Sequence, residues 1–246
     1  MTPKRQHEAE LLCASTMIAH LAVIAVLMIG CGRNVGSFAC CSVVQGNSLK
    51  LLQQIPNKFK DALVSDPPYG INTNTDYAAS RGGRKFAPIF GDDKPFDPSH
   101  LLSFRKIVLF GGNHFASRLP DSPTWLIWDK RCGLRSCDYA DSELAWSNLG
   151  GPAKEFHHLW SGFMRESERD KPRVHPTQKP IALMLWVLRK VGRPRLVVDP
   201  YAGSGTTLVA AKMLGLHFLG FEINRQYCNV IRKRLSVAAA ARLEFV

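Results

Sequence analysis

Along the chain, short apolar runs that end in acidic residues or prolines alternate with longer stretches whose apolar positions recur at helical spacing. Ala62-Leu63-Val64-Ser65 is one such run, and it stops at Asp66-Pro67-Pro68-Tyr69-Gly70 because two prolines cannot continue a sheet ladder. Lys106 to Phe110 closes on Gly111-Gly112-Asn113, and Trp125 to Trp128 is a third strand. Leu196 to Val198 ends in Asp199, and Phe218 to Phe221 ends in Glu222. Helices are predicted over 181–190, 206–214 and 225–235, the last with a basic face. Asp97-Pro98-Ser99 has the chemistry of a further helix start, ahead of Leu101, Leu102 and Phe104. Residues 71–95, rich in Asn, Gly, Arg and Lys, read as a long mobile loop, and 129–175 shows little periodicity. The alternation predicts an α/β fold with a mostly parallel, doubly wound sheet.

The beginning of the chain follows another pattern. Leu11 to Ile29 is nineteen residues without a formal charge, with Lys4 and Arg5 before it and Arg33 after it. Its length just reaches that of a membrane span, and its layout also fits a signal-type apolar region ending near Gly30-Cys31. The marginal length and His20 favour an apolar helix packed on the domain, or an extension upstream of a start at Met17 or Met28. Membrane contact through 11–29 is therefore the less favoured reading.

Composition narrows the function classes. With 246 residues and 46% hydrophobic content the chain can bury one sizeable core, and 21% charged residues exclude a disordered tail protein. Lys and Arg outnumber Asp and Glu by 32 to 20, a balance that favours a polyanionic partner such as nucleic acid. Seven cysteines, odd in number and irregularly spaced, exclude a disulfide scaffold and suit a reducing cytosol. Cys132 and Cys137 with His157-His158 lack a matching second cysteine pair, so no metal is expected there or elsewhere. His175 reads as structural, holding the approach to Pro176.

Two stretches carry chemistry. Val197-Val198-Asp199-Pro200-Tyr201-Ala202-Gly203-Ser204-Gly205-Thr206-Thr207 is strand, glycine turn and helix, an arrangement that lets backbone approach a ligand at the carboxyl edge of a sheet. Glu222, 17 residues beyond Gly205, is placed to accept hydrogen bonds from ribose hydroxyls. Gly205 is followed by Thr206 rather than Lys, which excludes a Walker phosphate loop. The third glycine of a dinucleotide fingerprint falls on Leu208, so a nucleoside lacking phosphates fits better than a pyrophosphate. In the second stretch, the Asp66 carboxylate and a backbone carbonyl, that of Pro67, can hold the two hydrogens of an exocyclic amine. Pro67 and Pro68 make that turn rigid, and Tyr69 can stack on a base, worth about 1–3 kcal/mol. An amine inside a duplex is out of reach, so the base must flip.

Four blocks in this order, Asp66-Pro67-Pro68-Tyr69-Gly70, His175-Pro176-Thr177-Gln178-Lys179-Pro180, Asp199 to Thr207 and Gly220-Phe221-Glu222-Ile223-Asn224, resemble the permuted (β-class) amino-methyltransferases of DNA. The resemblance covers about residues 43–236 and implies a Rossmann-like methyltransferase fold with a small inserted recognition region. It divides the chain into an apolar extension (1–42), a methyltransferase domain (43–236, with a target-recognition region at 129–174) and a C-terminal tail (237–246). It implies S-adenosylmethionine as cofactor, double-stranded DNA as substrate, and a cytoplasmic setting in a bacterial or phage-infected cell, as in restriction-modification. Asp66, Pro67, Pro68 and Tyr69 become the catalytic group. Asn47, Thr177, Lys179, Asp199, Pro200, Gly203, Gly205, Thr206 and Glu222 become cofactor-binding, with Asn47 standing where the family has Asp. Gly111-Gly112-Asn113-His114 matches a pocket-lining strand end. Between 129 and 174, Arg131, Arg135, Lys154, His157, His158, Arg165, Arg169, Lys171 and Arg173, with Trp146, Phe156 and Trp160, suit phosphates, guanine edges and the gap left by a flipped base. Asp in the first motif position leans toward adenine N6 as the target. Cytosine N4, or an inactive DNA-binding protein of this fold, are the alternatives.

Overall fold

A computed structural model describes residues 31–78, 84–135, 140–162 and 164–238. The apolar stretch 11–29 and nearly all of the C-terminal tail lie outside the described residues. Among the described residues, no helix is long and apolar enough to cross a membrane.

The strands are β1 (Asn34–Val35), β2 (Phe38–Ala39), β3 (Ser42–Gln45), β4 (Ala62–Ser65), β5 (Lys106–Phe110), β6 (Trp125–Asp129), β7 (Ser142–Ser147), β8 (Lys154–His157), β9 (Trp160–Ser161), β10 (Met164–Arg165), β11 (Val197–Asp199) and β12 (Phe218–Glu222). The helices are α1 (Ser48–Leu52), α2 (Ile181–Val191), α3 (Thr206–Met213) and α4 (Arg225–Val237). Eight strands form one sheet in the order β3-β12-β11-β4-β5-β7-β6-β8. From β3 to β5 all neighbours are parallel, while β7 runs antiparallel to both β5 and β6. The expected α/β, mostly parallel, Rossmann-like architecture is the one observed.

Alternation along the strands divides the interior. Ala62 and Val64 pack with Leu183, Met184, Val187 and Leu188 of α2 on one face of the sheet. Leu63 points to the other, with Ile107, Leu109, Val198 and Leu219. Both faces are covered, which is why these strands read as continuous apolar runs. Each such side chain taken fully from water contributes about 1.5–3 kcal/mol.

Three expectations change. The helix foreseen after Asp97 is a single 3₁₀ turn, Ser99–Leu101, because the chain must enter β5 at Lys106 with Leu101 and Phe104 already in the core. The loop 71–95 is anchored rather than free over its described residues: Asp92 accepts from the N–H groups of Tyr69 (2.9 Å), Gly70 (2.8 Å) and Thr73 (2.7 Å), and Phe86 N–H donates to Thr75 O (3.0 Å). The stretch 129–174 is partly sheet. It supplies β7, which inserts between β5 and β6; Trp146 is buried in the core away from the cleft, while Trp160, though largely buried, still lines it. Its low periodicity reflects short strands, six residues in β7 and four in the largely exposed edge strand β8.

Candidate active site

Parallel strands reverse their winding direction between β11 and β4, so the crevice at their carboxyl ends is the place where such a sheet binds ligands. Asp66 follows β4 directly and Asp199 ends β11. The two ends are tied together, with Ser65 Oγ donating to Asp199 Oδ1 at 2.7 Å. A cleft of about 2120 Å³ opens there, lined by Asn47, Asp66 to Tyr69, Thr177, Lys179, Pro200, Gly203 and Glu222. Drug-sized ligand pockets run to about 1,000 Å³, so this cleft has room for a nucleoside cofactor and a second group side by side.

Asp66 sits at the centre of a charged cluster. Tyr69 Oη donates to its Oδ1 (2.5 Å) and Lys179 Nζ to its Oδ2 (2.6 Å). Lys179 also reaches Glu143 Oε2 (2.9 Å), and Lys130 pairs with Glu143 Oε1 (3.1 Å). Burial pushes the Asp66 carboxyl above its ordinary value against the pull of Lys179. For Glu143, burial is outweighed by the Lys179 and Lys130 ammoniums, which hold it down to about 2. Burial alone would lower Lys179, but Asp66 and Glu143 raise it instead. The Tyr69 ring stacks on His114 with centroids 4.9 Å apart. Gly111, at φ +68°, makes that placement sterically open, since a Cβ there would lie 2.0 Å from Tyr69 Cε1.

At the glycine turn, Glu222 accepts from Gly203 N–H through Oε2 and from Asn224 N–H through Oε1, both at 2.8 Å. Ile223 N–H also bonds this carboxylate, and with about four lone-pair sites in all the side chain is oriented yet able to accept more. Gly203 packs under His175, whose Nε2 would lie 3.3 Å from an added Cβ, and burial brings His175 down to about 4. Asn47 caps α1, its Oδ1 accepting from Leu49 N–H at 2.9 Å.

Three residues expected at the cofactor do not line the main cleft. Asp199 and Thr206 border a small recess behind Asp66 instead. Thr206 Oγ1 donates to Lys179 O at 3.2 Å. Gly205, at φ +76°, is backed by Ile231, 2.8 Å from a would-be Cβ, so its lack of a side chain serves α4 packing. Lys179, expected beside the cofactor, reaches the catalytic motif. Two carboxylates escaped the sequence reading, Glu143 and Asp92. Glu143 follows Asp141 and Ser142 at the head of Leu144-Ala145-Trp146, so no local pattern set it apart. Of the cysteine and histidine pairing weighed earlier, Cys137 lies outside the described residues, Cys132 is exposed and His158 bonds Ser167 Oγ at 2.9 Å.

The sequence matches a family described as DNA methylase over residues 138–233. The chain is similar to the Type II methyltransferase M2.LlaDCHI of Lactococcus lactis subsp. cremoris, 25% identical over 80% of this chain and 90% of that one. It is likewise similar to the Type II methyltransferase M.HinfI of Haemophilus influenzae, 23% identical over 79% of this chain and 68% of that one. Among solved structures, the PvuII DNA methyltransferase (cytosine-N4-specific) shares the fold, with a TM-score of 0.51, 16% identity and coverage of 78% of this chain and 85% of that one. Over 138–233 the sequence carries the DNA methylase pattern, and over about four fifths of its length it is similar to Type II methyltransferases.

Proposed function

We propose that the protein transfers a methyl group from S-adenosylmethionine to an exocyclic amine of a flipped base in double-stranded DNA, adenine N6 being the favoured target. The observation that carries this reading is the junction of Asp66 and the glycine turn on one cleft at the winding reversal.

The donor set fits the cofactor. Glu222 offers unspent acceptors for ribose hydroxyls, Asn47 and Asn224 add amides, and the bare backbone at Gly203 permits close approach. When bound, S-adenosylmethionine supplies a methyl carbon made electrophilic by a positively charged sulfonium. Asp66 accepts hydrogen bonds from the amine and draws its lone pair out of conjugation with the ring. With the methyl carbon transferred and the cofactor left as a neutral thioether, positive charge would rest on the nitrogen beside the Asp66 carboxylate, which would stabilise it until the surplus proton passes to water. Lys179 opposes the burial that would protonate Asp66, keeping it an acceptor. The Tyr69 phenol fixes the carboxylate's orientation. Arg131, Arg165, Arg169 and Arg173 on the same cleft suit DNA phosphates. Arg165 and Arg173 lie over the Trp160 ring, at 5.2 and 5.8 Å from its centroid, which pre-orders their guanidinium groups.

The test is nucleoside mass spectrometry on DNA from a methylation-free host expressing the chain, beside Asp66→Ala. N6-methyladenine present only with the intact chain supports the proposal in full. N4-methylcytosine keeps the reaction and moves the target. Neither base, from protein that binds S-adenosylmethionine, would overturn it.

A further inference from the structure

At the opposite end of the sheet from the cleft, four metal-ligating side chains converge. Cys40 Sγ and Cys41 Sγ lie 3.7 Å apart, and His217 Nδ1 is 3.4 Å from the first and 3.8 Å from the second. Cys31 Sγ completes the group, with all four atoms within 4.8 Å of one another. A tetrahedral zinc ion, with bonds of about 2.3 Å to sulfur and about 2.0 Å to nitrogen, implies ligand–ligand edges of roughly 3.8 and 3.5 Å. The three edges among Cys40, Cys41 and His217 match those values, and Cys31 Sγ lies within 4.8 Å of each. A disulfide would instead bring two sulfurs to about 2.05 Å, and Cys31, Cys40 and Cys41 are all free thiols.

The local backbone is built to present them. β1 and β2 form a tight hairpin turning at Gly36-Ser37, and Cys40 N–H returns to Arg33 O at 2.9 Å, so the hairpin's base carries Cys31 and Cys40. Cys41 adopts φ +60°, a left-handed conformation that costs a non-glycine residue roughly 1–2 kcal/mol, and it lets two adjacent thiols serve one centre. Cys41 N–H is fixed on Phe218 O at 2.8 Å, next to His217 in sequence. The ligands thus precede β3 and β12, whereas Asn47 and Glu222 follow those strands or end them, roughly 16 Å along the sheet.

We infer that Cys31, Cys40, Cys41 and His217 form a structural zinc site that fastens the β1–β2 hairpin to the amino ends of β3 and β12. Four protein ligands close the coordination sphere, leaving no position for substrate, so the ion's role is architectural. Three thiolates exceed the ion's charge by one, and Arg33, with Nη1 3.3 Å from His217 Nε2, supplies the balancing cation. Ligation through Nδ1 would leave the proton on Nε2, so in the metal-bound form Arg33 would act through its charge beside the site rather than through that hydrogen bond. β3 is an edge strand of the sheet, and the clamp guards that edge against fraying. The inference is independent of the proposed methyl transfer.

The full chain purified under reducing conditions from zinc-supplemented medium, analysed by inductively coupled plasma mass spectrometry, is expected to carry one zinc per molecule. Exchange into cobalt(II) should give thiolate-to-cobalt charge transfer and the intense visible bands of a tetrahedral centre. His217→Ala and Cys41→Ser should each lose the metal, whereas Cys132→Ser should retain it. Cobalt titration of the chelator-stripped wild type keeps the question open to decision if those variants fail to fold. Substoichiometric zinc with no tetrahedral cobalt spectrum overturns the site. So do undiminished zinc in Cys41→Ser, or a disulfide linking these cysteines in reduced, freshly purified protein.

Discussion

The Lys179 ammonium lies 2.6 Å from Asp66 Oδ2, joining two motifs separated by 113 residues in the chain. The pair is buried, and removing one member of such a pair costs about 3–5 kcal/mol because the other is left uncompensated. Lys179→Met should therefore lower thermal stability. It should also move the acidic limb of the methyl-transfer rate to higher pH, since Lys179 opposes protonation of Asp66. Single-turnover rates across pH, compared with wild type, read the shift. An unmoved limb would mean that Lys179 does not govern the charge of Asp66.

Asp199 gives a pH-dependent stability with the opposite sign from an ordinary ion-paired acid. Burial pushes it from 3.8 up to about 6, although Ser65, Thr207 and Tyr201 donate to it. Its contribution is fully present below the unfolded value and is lost as pH rises through the folded one. Asp199→Asn keeps an oxygen for Ser65 Oγ and never carries the charge. It should exceed wild type in stability near neutral pH by up to about 3 kcal/mol. The gap should close as pH falls toward 3.8. Denaturant melts at several pH values check this.

Gly111→Ala places a methyl group 2.0 Å from Tyr69 Cε1, at a backbone φ of +68°. The tyrosine must leave Asp66, and kcat should fall roughly 100-fold, as expected for reacting groups displaced by about an ångström. Affinity for S-adenosylmethionine, measured by calorimetry, should stay near wild type. Tyr69→Phe, which keeps the ring and loses only the phenol, should cost about tenfold or less.

Asp92→Ala removes the acceptor for the N–H groups of Tyr69, Gly70 and Thr73. Hydrogen bonds to a carboxylate contribute about 1.5–3 kcal/mol each when a buried donor would otherwise go unpaired. The variant should melt earlier and show a raised KM for DNA. Asp92→Asn, retaining one oxygen for Tyr69 and Gly70, should recover part of both losses.

The sheet could be read in the sequence wherever a strand ended abruptly. Asp66, Asp199 and Glu222 each close an apolar run, and punctuation of that kind survives without any knowledge of the partner strand. Glu143 gave no such cue. It lies within β7, whose neighbours β5 and β6 both run the other way, so its burial depends on pairings made across the fold. Lys179 could be located from its motif, but its contact with Asp66 depends on α2 docking beside β4. Asp92 looks like any loop acid until the chain doubles back on Tyr69. Local chemistry was legible, and long-range pairing was not.

The position of β7 bears on how specificity in this protein could be exchanged. Its residue Glu143 holds Lys179, while the described residues on either side of it, 130–135 and 148–153, lie outside the sheet. A transplant of the whole 129–174 stretch from a relative would carry off one wall of the charged cluster along with any DNA-reading residues. Donor segments joined outside Ser142–Ser147 would leave that wall standing, so the seams of a working chimera run through the loops rather than around the region as a block.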